Sequence, residues 1–234
     1  MKKITNVLIL IAILVSSSFF LSACTKKTKT NTPVKTTQGA KQIELTTEEK
    51  PYISLIPRAD GHELKFKVTG IPSKFSTAEY ELIYTAEDED LEIEKGVSGT
   101  VKLTDSNFEK DLLLGTSSCT NGCKYKYDEG ITGGVLTLTL TTDDKQYVSF
   151  ETPFVLKNSA QINKEKSIKL AQENFEIKGT VTSKTDFFIA IKNFKPVYSV
   201  FSSGNGKGKI TSIEPSTVTK TDLTSLIGDY SITQ

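Results

Sequence analysis

The sequence predicts an all-β protein, two β-sandwich modules behind a leader segment and a disordered tether. Three observations predict it. Beyond Pro51, apolar side chains recur at every second position, the period of a half-buried strand. Turn residues punctuate those runs, at Asp60-Gly61, Gly133-Gly134 and Asp143-Asp144. Helical periodicity is confined to two short stretches, Lys164 to Glu173 and Asp222 to Ile227, the second with Asp222 placed as an N-cap.

Met1-Lys2-Lys3 gives the chain a positive start, Val7 to Val15 is an unbroken apolar run, and Ser16-Ser17-Ser18 softens the way out. A spanning helix needs about 20 apolar residues, so this run reads as a signal peptide rather than a permanent span. Leu21-Ser22-Ala23-Cys24 follows, an aliphatic residue, two small residues and a cysteine. This stretch resembles the lipobox of bacterial lipoproteins, and the resemblance covers residues 1–24 only. It implies a signal peptide over 1–23, cleavage between Ala23 and Cys24, a diacylglyceryl group on the Cys24 thiol, and palmitate-type acylation of the new N-terminus. Each buried methylene contributes about 0.8 kcal/mol, so two or three chains on one residue anchor stably where a single chain is marginal. The alternative is an ordinary secreted protein in which Cys24 is incidental. Cleavage removes two lysines and no acid, leaving 27 cationic against 28 acidic side chains.

Residues 24–50 are expected to be the lipidated cysteine and its tether. From Thr25 to Gln42, six Thr and five Lys alternate with almost nothing apolar, too little to offset the entropy of ordering. Fully extended, these residues reach roughly 60 Å. The stretch reads as a linker; the alternative is that Lys26, Lys27 and Lys29 touch anionic lipid, which would only reinforce the anchor.

The first module is expected over 51–157. Leu64, Phe66 and Val68 share one face of a strand while Glu63, Lys65 and Lys67 share the other. Tyr80, Leu82 and Tyr84 repeat the pattern, as do Leu136, Leu138 and Leu140, and then Val148 to Leu156. Shorter strands at Tyr52 to Ile56, Gly99 to Leu103 and Lys110 to Leu114 bring the total to about seven, the strand content of a sandwich. The pattern resembles immunoglobulin-like and fibronectin-like sandwiches in architecture only, since the Cys…Trp…Cys signature is absent. Polar residues 158–164 are expected to be a linker. Residues 165–234 form a second, smaller β-rich module, with strands at Phe175 to Val181, Asp186 to Phe194, Val197 to Phe201 and Lys209 to Glu214, and Gly204 to Gly208 as a hairpin turn.

Composition excludes several activities. The formal charge is +1 and Arg58 is the only Arg, so the guanidinium forks that dominate nucleic-acid recognition are missing. His62 is the only His, which rules out a multi-His metal site and leaves one residue for any His-dependent catalysis. No Gly-x-Ser-x-Gly elbow occurs, and His62 reads as a rim residue after a turn. No cofactor, metal or catalytic residue is assigned. The run Glu87-Asp88-Glu89-Asp90, with Glu92 and Glu94, offers carboxylates to calcium but lacks the spacing of an EF-hand loop, and reads as a solvated hairpin tip.

Once Cys24 is given to lipid, Cys119 and Cys123 remain in an exported context, separated by Thr120-Asn121-Gly122. An Asn-Gly turn lets them face each other, so a disulfide is expected. Zinc would require further ligands, and a redox motif would have two intervening residues rather than three. Beside this loop, Lys124-Tyr125-Lys126-Tyr127 interleaves cations with aromatics, marking Tyr125 and Tyr127 as a contact surface unless both pack on one strand face.

The expected function is a lipid-anchored cell-envelope protein acting as a non-catalytic binding or structural module, its partner another envelope protein or a cell-wall component. Two alternatives stand beside it. One is the substrate-binding lipoprotein of a transporter, which the lack of alternating strand and helix disfavours. The other is a cell-wall enzyme with a carboxylate cleft drawn from Glu92, Asp128 and Glu129.

Overall fold

A computed structural model describes residues 39–233 apart from Asp90 and Asn121. The signal peptide, Cys24 and the tether as far as residue 38 lie outside the described residues. The described chain runs β1 (Lys41–Gln42), β2 (Tyr52–Pro57), β3 (Glu63–Thr69), β4 (Thr77–Asp88), β5 (Leu91–Lys102), β6 (Phe108–Leu113), β7 (Gly115–Cys119), β8 (Cys123–Tyr127), β9 (Gly133–Thr141) and β10 (Gln146–Asn158). Helix α1 (Ser159–Glu165) follows, then β11 (Ser167–Leu170), a 3-10 turn (Ala171–Glu173), β12 (Phe175–Val181), β13 (Phe187–Lys192), β14 (Val197–Ser202), β15 (Gly208–Glu214), β16 (Val218–Thr219) and β17 (Gly228–Ile232). The all-β expectation is met.

One nine-stranded sheet runs through the molecule in the order β16-β17-β14-β13-β10-β9-β4-β5, with β1 pairing parallel on β10. Two three-stranded sheets, β2-β3-β6 and β11-β12-β15, cover it. They lie on opposite faces, as alternation along β13 requires. Ile189 and Ile191 join the core formed with Ile53, Leu64 and Phe66, whereas Phe188 and Ala190 join the core formed with Phe175, Ile177 and Ile210. A strand covered on both faces has no polar side. This is why Phe187–Lys192 reads as a continuous apolar run while β3 and β9, covered on one face, alternate.

Several expectations are corrected. Residues 158–164 are not a linker: Asn158 ends β10, and its side chain caps α1 by accepting from the Gln161 N–H, while the Gln161 side chain accepts the Asn158 N–H in return. That is a capping box, which the polar composition concealed. β10 also pairs directly with β13, so one sheet crosses the expected boundary. The helix expected over Lys164 to Glu173 stops at Glu165, because Ile168 and Leu170 alternate into the second core as β11. Residues 222–227 form no helix. Gly204 to Gly208 is not a hairpin turn but a crossover, since β15 leaves the central sheet to pair with β12. Part of the segment expected as tether, up to residue 50, packs on the core instead: Leu45 is buried and Ile43 packs beside it. The acidic run does lie at a hairpin tip as expected, where β4 ends at Asp88 and β5 starts at Leu91, and Glu87, Asp88, Glu92 and Glu94 belong to the two strands themselves.

Candidate functional site: a disulfide-closed aromatic hairpin

The only two-stranded sheet among the described residues is the hairpin of β7 and β8. Buried Leu112 and Leu114 anchor its approach. The Leu114 N–H donates to the His62 carbonyl at 2.9 Å, and the Asp128 N–H donates to the Leu114 carbonyl at 3.0 Å. Gly115 makes the bend into β7: its φ is 151°, and a Cβ there would sit 2.3 Å from the Lys126 carbonyl oxygen. No other residue fits so close a crossing.

Two strands alone are marginal in water. Here a Cys119–Cys123 disulfide joins directly opposed residues at the tip, with their Cα atoms 4.1 Å apart. Gly122, at φ 92°, supplies the left-handed residue of the three-residue loop.

Register places Tyr125 opposite Ser117 and Tyr127 opposite Gly115, on the strand face away from Lys124 and Lys126. Their rings are nearly parallel and stacked, with centroids 6.0 Å apart and planes at 6°. Tyr127 in turn stacks on His62 at 4.0 Å and 8°. The sequence left Tyr125 and Tyr127 with two readings, contact or packing, and the structure divides them. Tyr127 is half-buried against His62, while Tyr125 at the far end of the stack is 54% exposed.

The inner end of the stack is braced by charge. The Asp60 carboxylate accepts from Arg58 Nε at 2.8 Å and from the His62 N–H at 3.1 Å, and Arg58 Nη1 donates to Glu63 at 3.0 Å. The Arg58 guanidinium, and secondarily the His62 N–H, hold the Asp60 carboxyl down at about 2. A depressed carboxyl stabilises the fold above its unfolded value and loses that contribution as pH falls through about 2. Both side chains are nearly half exposed, so the contribution is below about 1 kcal/mol. A carboxyl-carbon NMR titration is expected to place Asp60 near 2, with Arg58→Met returning it to the ordinary carboxylate range. An unmoved midpoint in the variant would show that Arg58 is not the cause.

The base of the hairpin is tied to the central sheet by Asp128. Its buried carboxylate accepts from the Tyr84 hydroxyl at 2.8 Å and pairs with Lys95 at 3.3 Å. Burial, then the neighbouring carboxylate, raises the Tyr84 phenol, keeping it the donor in this bond. The three carboxylates considered for a cleft are therefore differently placed. Asp128 is committed to Tyr84 and Lys95, the Glu129 carbonyl receives the Glu87 N–H at 2.8 Å, and Glu92 stands on the exposed face of β5. Among the described residues no three His, Cys, Asp or Glu side chains converge on a metal position.

Two shallow depressions lie away from the hairpin. One of about 320 Å³ is lined by Ile56, Val200, Phe201 and Ile227, the other of about 300 Å³ by Lys50, Glu151, Lys192 and Phe194. The functional neighbour that sequence reasoning missed is His62 as a stacking partner, because its contact with Tyr127 joins strands distant in the chain. The chain matches none of the protein-family models, curated proteins or solved structures with which it was compared.

Proposed function

We propose that the protein is a lipid-anchored, non-catalytic contact module of a bacterial cell envelope, held at the membrane through Cys24 and meeting an envelope protein or wall component through the β7–β8 hairpin. The observation that carries the contact reading is Tyr125, 54% exposed at the end of a stack of parallel rings on a disulfide-closed hairpin. A large amphipathic ring already held in place loses little conformational freedom on binding, which favours recognition from a rigid support. The Cys119–Cys123 disulfide fits an oxidising, extracytoplasmic setting. The immunoglobulin-like reading is retained for layering alone, two sandwich-like halves built on a shared sheet.

Two measurements test the two parts. Cys24→Ser is expected to move the protein from the detergent-rich to the aqueous phase of a membrane extract and to abolish the added lipid mass. Unchanged partition would remove the anchor. A photo-crosslinking residue at position 125 is expected to yield a discrete adduct in native cells that the same group at exposed Thr211 does not. Equal labelling at both positions would remove the hairpin as the contact surface.

A further inference from the structure

β5 is the long edge of the central sheet, and among the described residues no strand pairs with its outer side. It runs twelve residues in unbroken register with β4, without a bulge and without proline. The Leu103 N–H donates to the Ser76 carbonyl, so odd-numbered residues of β5 bond to β4. The N–H and C=O groups of Glu92, Glu94, Gly96, Ser98, Thr100 and Lys102 therefore point outward. Long edges of this kind template pairing with another strand, and native sheets usually blunt them.

The side chains along this edge specify the partner. Glu92 sits directly opposite Glu87 in the β4 ladder, like charge against like charge, while Lys102 sits opposite Thr77. Leu91, at the start of the strand, is 70% exposed, more than any other large apolar side chain among those described. On the core side, Ile93, Val97, Val101 and Leu103 pack only partly against the first core.

We propose that β5 pairs antiparallel with β5 of a second copy of this chain, about a two-fold axis through Val97. An isologous interface of this kind must be self-complementary, and this register is. It sets Glu92 against Lys102 of the second copy, twice, supplying a cation to the Glu87–Glu92 row. It sets Glu94 against Thr100 and Gly96 against Ser98, all outward-pointing residues meeting outward-pointing residues. On the core side, Ile93 meets Val101, Val97 meets its own copy, and Lys95 meets Gly99, which has no side chain to oppose it. Leu91 comes against Leu103, covering the exposed leucine. Moving the axis to Ser98 sets Lys95 against Val101 and carries Glu92 past the end of the partner strand. Moving it to Gly96 pairs as many residues, 91 to 101, but leaves Glu92 opposite Thr100, so the Val97 axis is the one that opposes Glu92 to Lys102. The two central sheets then become one continuous sheet across an antiparallel β5–β5 seam, leaving both hairpins outside the interface strand.

The test uses the purified full-length chain in mild detergent. Val97→Cys lies on the axis at a non-hydrogen-bonded pair, where Cα atoms are about 4.5 Å apart and a disulfide can close. With a mild oxidant it is expected to give a reducible species of twice the chain mass, beyond any seen for the native sequence or for Thr85→Cys on the open face of β4. Adding Lys102→Glu replaces two attractive pairs by two repulsive ones and is expected to lower dimerisation about tenfold. Glu92→Lys with Lys102→Glu restores the pairs in reversed sense and is expected to recover it. Sedimentation of the charge variants with Val97 intact gives the same readout without a new thiol. A Val97→Cys chain that gives no more reducible dimer than the native sequence, or a Lys102→Glu chain that associates as the native one does, overturns the proposal; so does a charge swap that fails to rescue.

Discussion

Phe175→Ala is expected to lower the unfolding free energy by about 3–5 kcal/mol in a urea titration. Phe175 is fully buried at the start of β12, stacked on Tyr198 at 4.1 Å and 1°, and met edge-on by Tyr230 at 5.5 Å and 71°. Truncation removes the transfer energy of the ring and leaves a cavity between two aromatic side chains whose strands, β14 and β17, are fixed in the central sheet. Phe175→Leu fills most of that space and is expected to lose less than half as much. Because β13 contributes to both cores, amides of β3 in the first core should lose protection along with those of β12. A loss below about 1.5 kcal/mol would mean that the aromatic cluster collapses readily around the gap. Full protection of β3 while β12 opens would mean that the shared sheet does not couple the two halves.

Asn193→Ala is expected to cost about 3 kcal/mol, an unusually large loss for a short polar side chain. Asn193 follows β13, is 4% exposed, and acts as a substitute strand for β2. Its Oδ1 accepts the Ile53 N–H at 3.1 Å and its Nδ2 donates to the Ile53 carbonyl at 2.9 Å. Alanine leaves two backbone groups buried without partners, each costing about 1–3 kcal/mol. The surrounding network continues through Ser199, whose hydroxyl donates to Asp229 at 2.7 Å and lies 3.2 Å from the Tyr52 hydroxyl. Ser199→Ala removes bonds that other members of the network partly replace, and about 1 kcal/mol is expected. Denaturation that ranks Ser199→Ala above Asn193→Ala would contradict the role given to the amide.

How much of this was legible in the residues depended on whether the physics was local. Leu64, Phe66 and Val68, and Leu136, Leu138 and Leu140, declare strands because alternate side chains are forced to opposite faces wherever one face meets solvent. The Cys119–Cys123 closure was legible because an Asn-Gly turn and three intervening residues leave little choice of geometry. Residues 158–164 pass for a linker because Asn158 and Gln161 look like solvent-seeking residues, and only their reciprocal bonds reveal a helix start. Gly204 to Gly208 passes for a hairpin because glycine marks a turn without saying which strand follows it into which sheet.

The contact surface divides the same way. Tyr125 and Tyr127 shared a face by parity alone, and that much held. That Tyr127 is half-buried on His62 while Tyr125 is exposed required strands far apart in sequence to be brought together. So did the Asp128–Tyr84–Lys95 tie, and the double burial of β13 that joins both halves in one sheet. Alternation, turn chemistry and small-ring closure depend on a few neighbouring residues and can be read along the chain. The order of strands in a sheet, the choice of which face a second sheet covers, and the partner of a lone histidine are set by long-range packing, where many arrangements satisfy the same local rules and only the summed burial selects one.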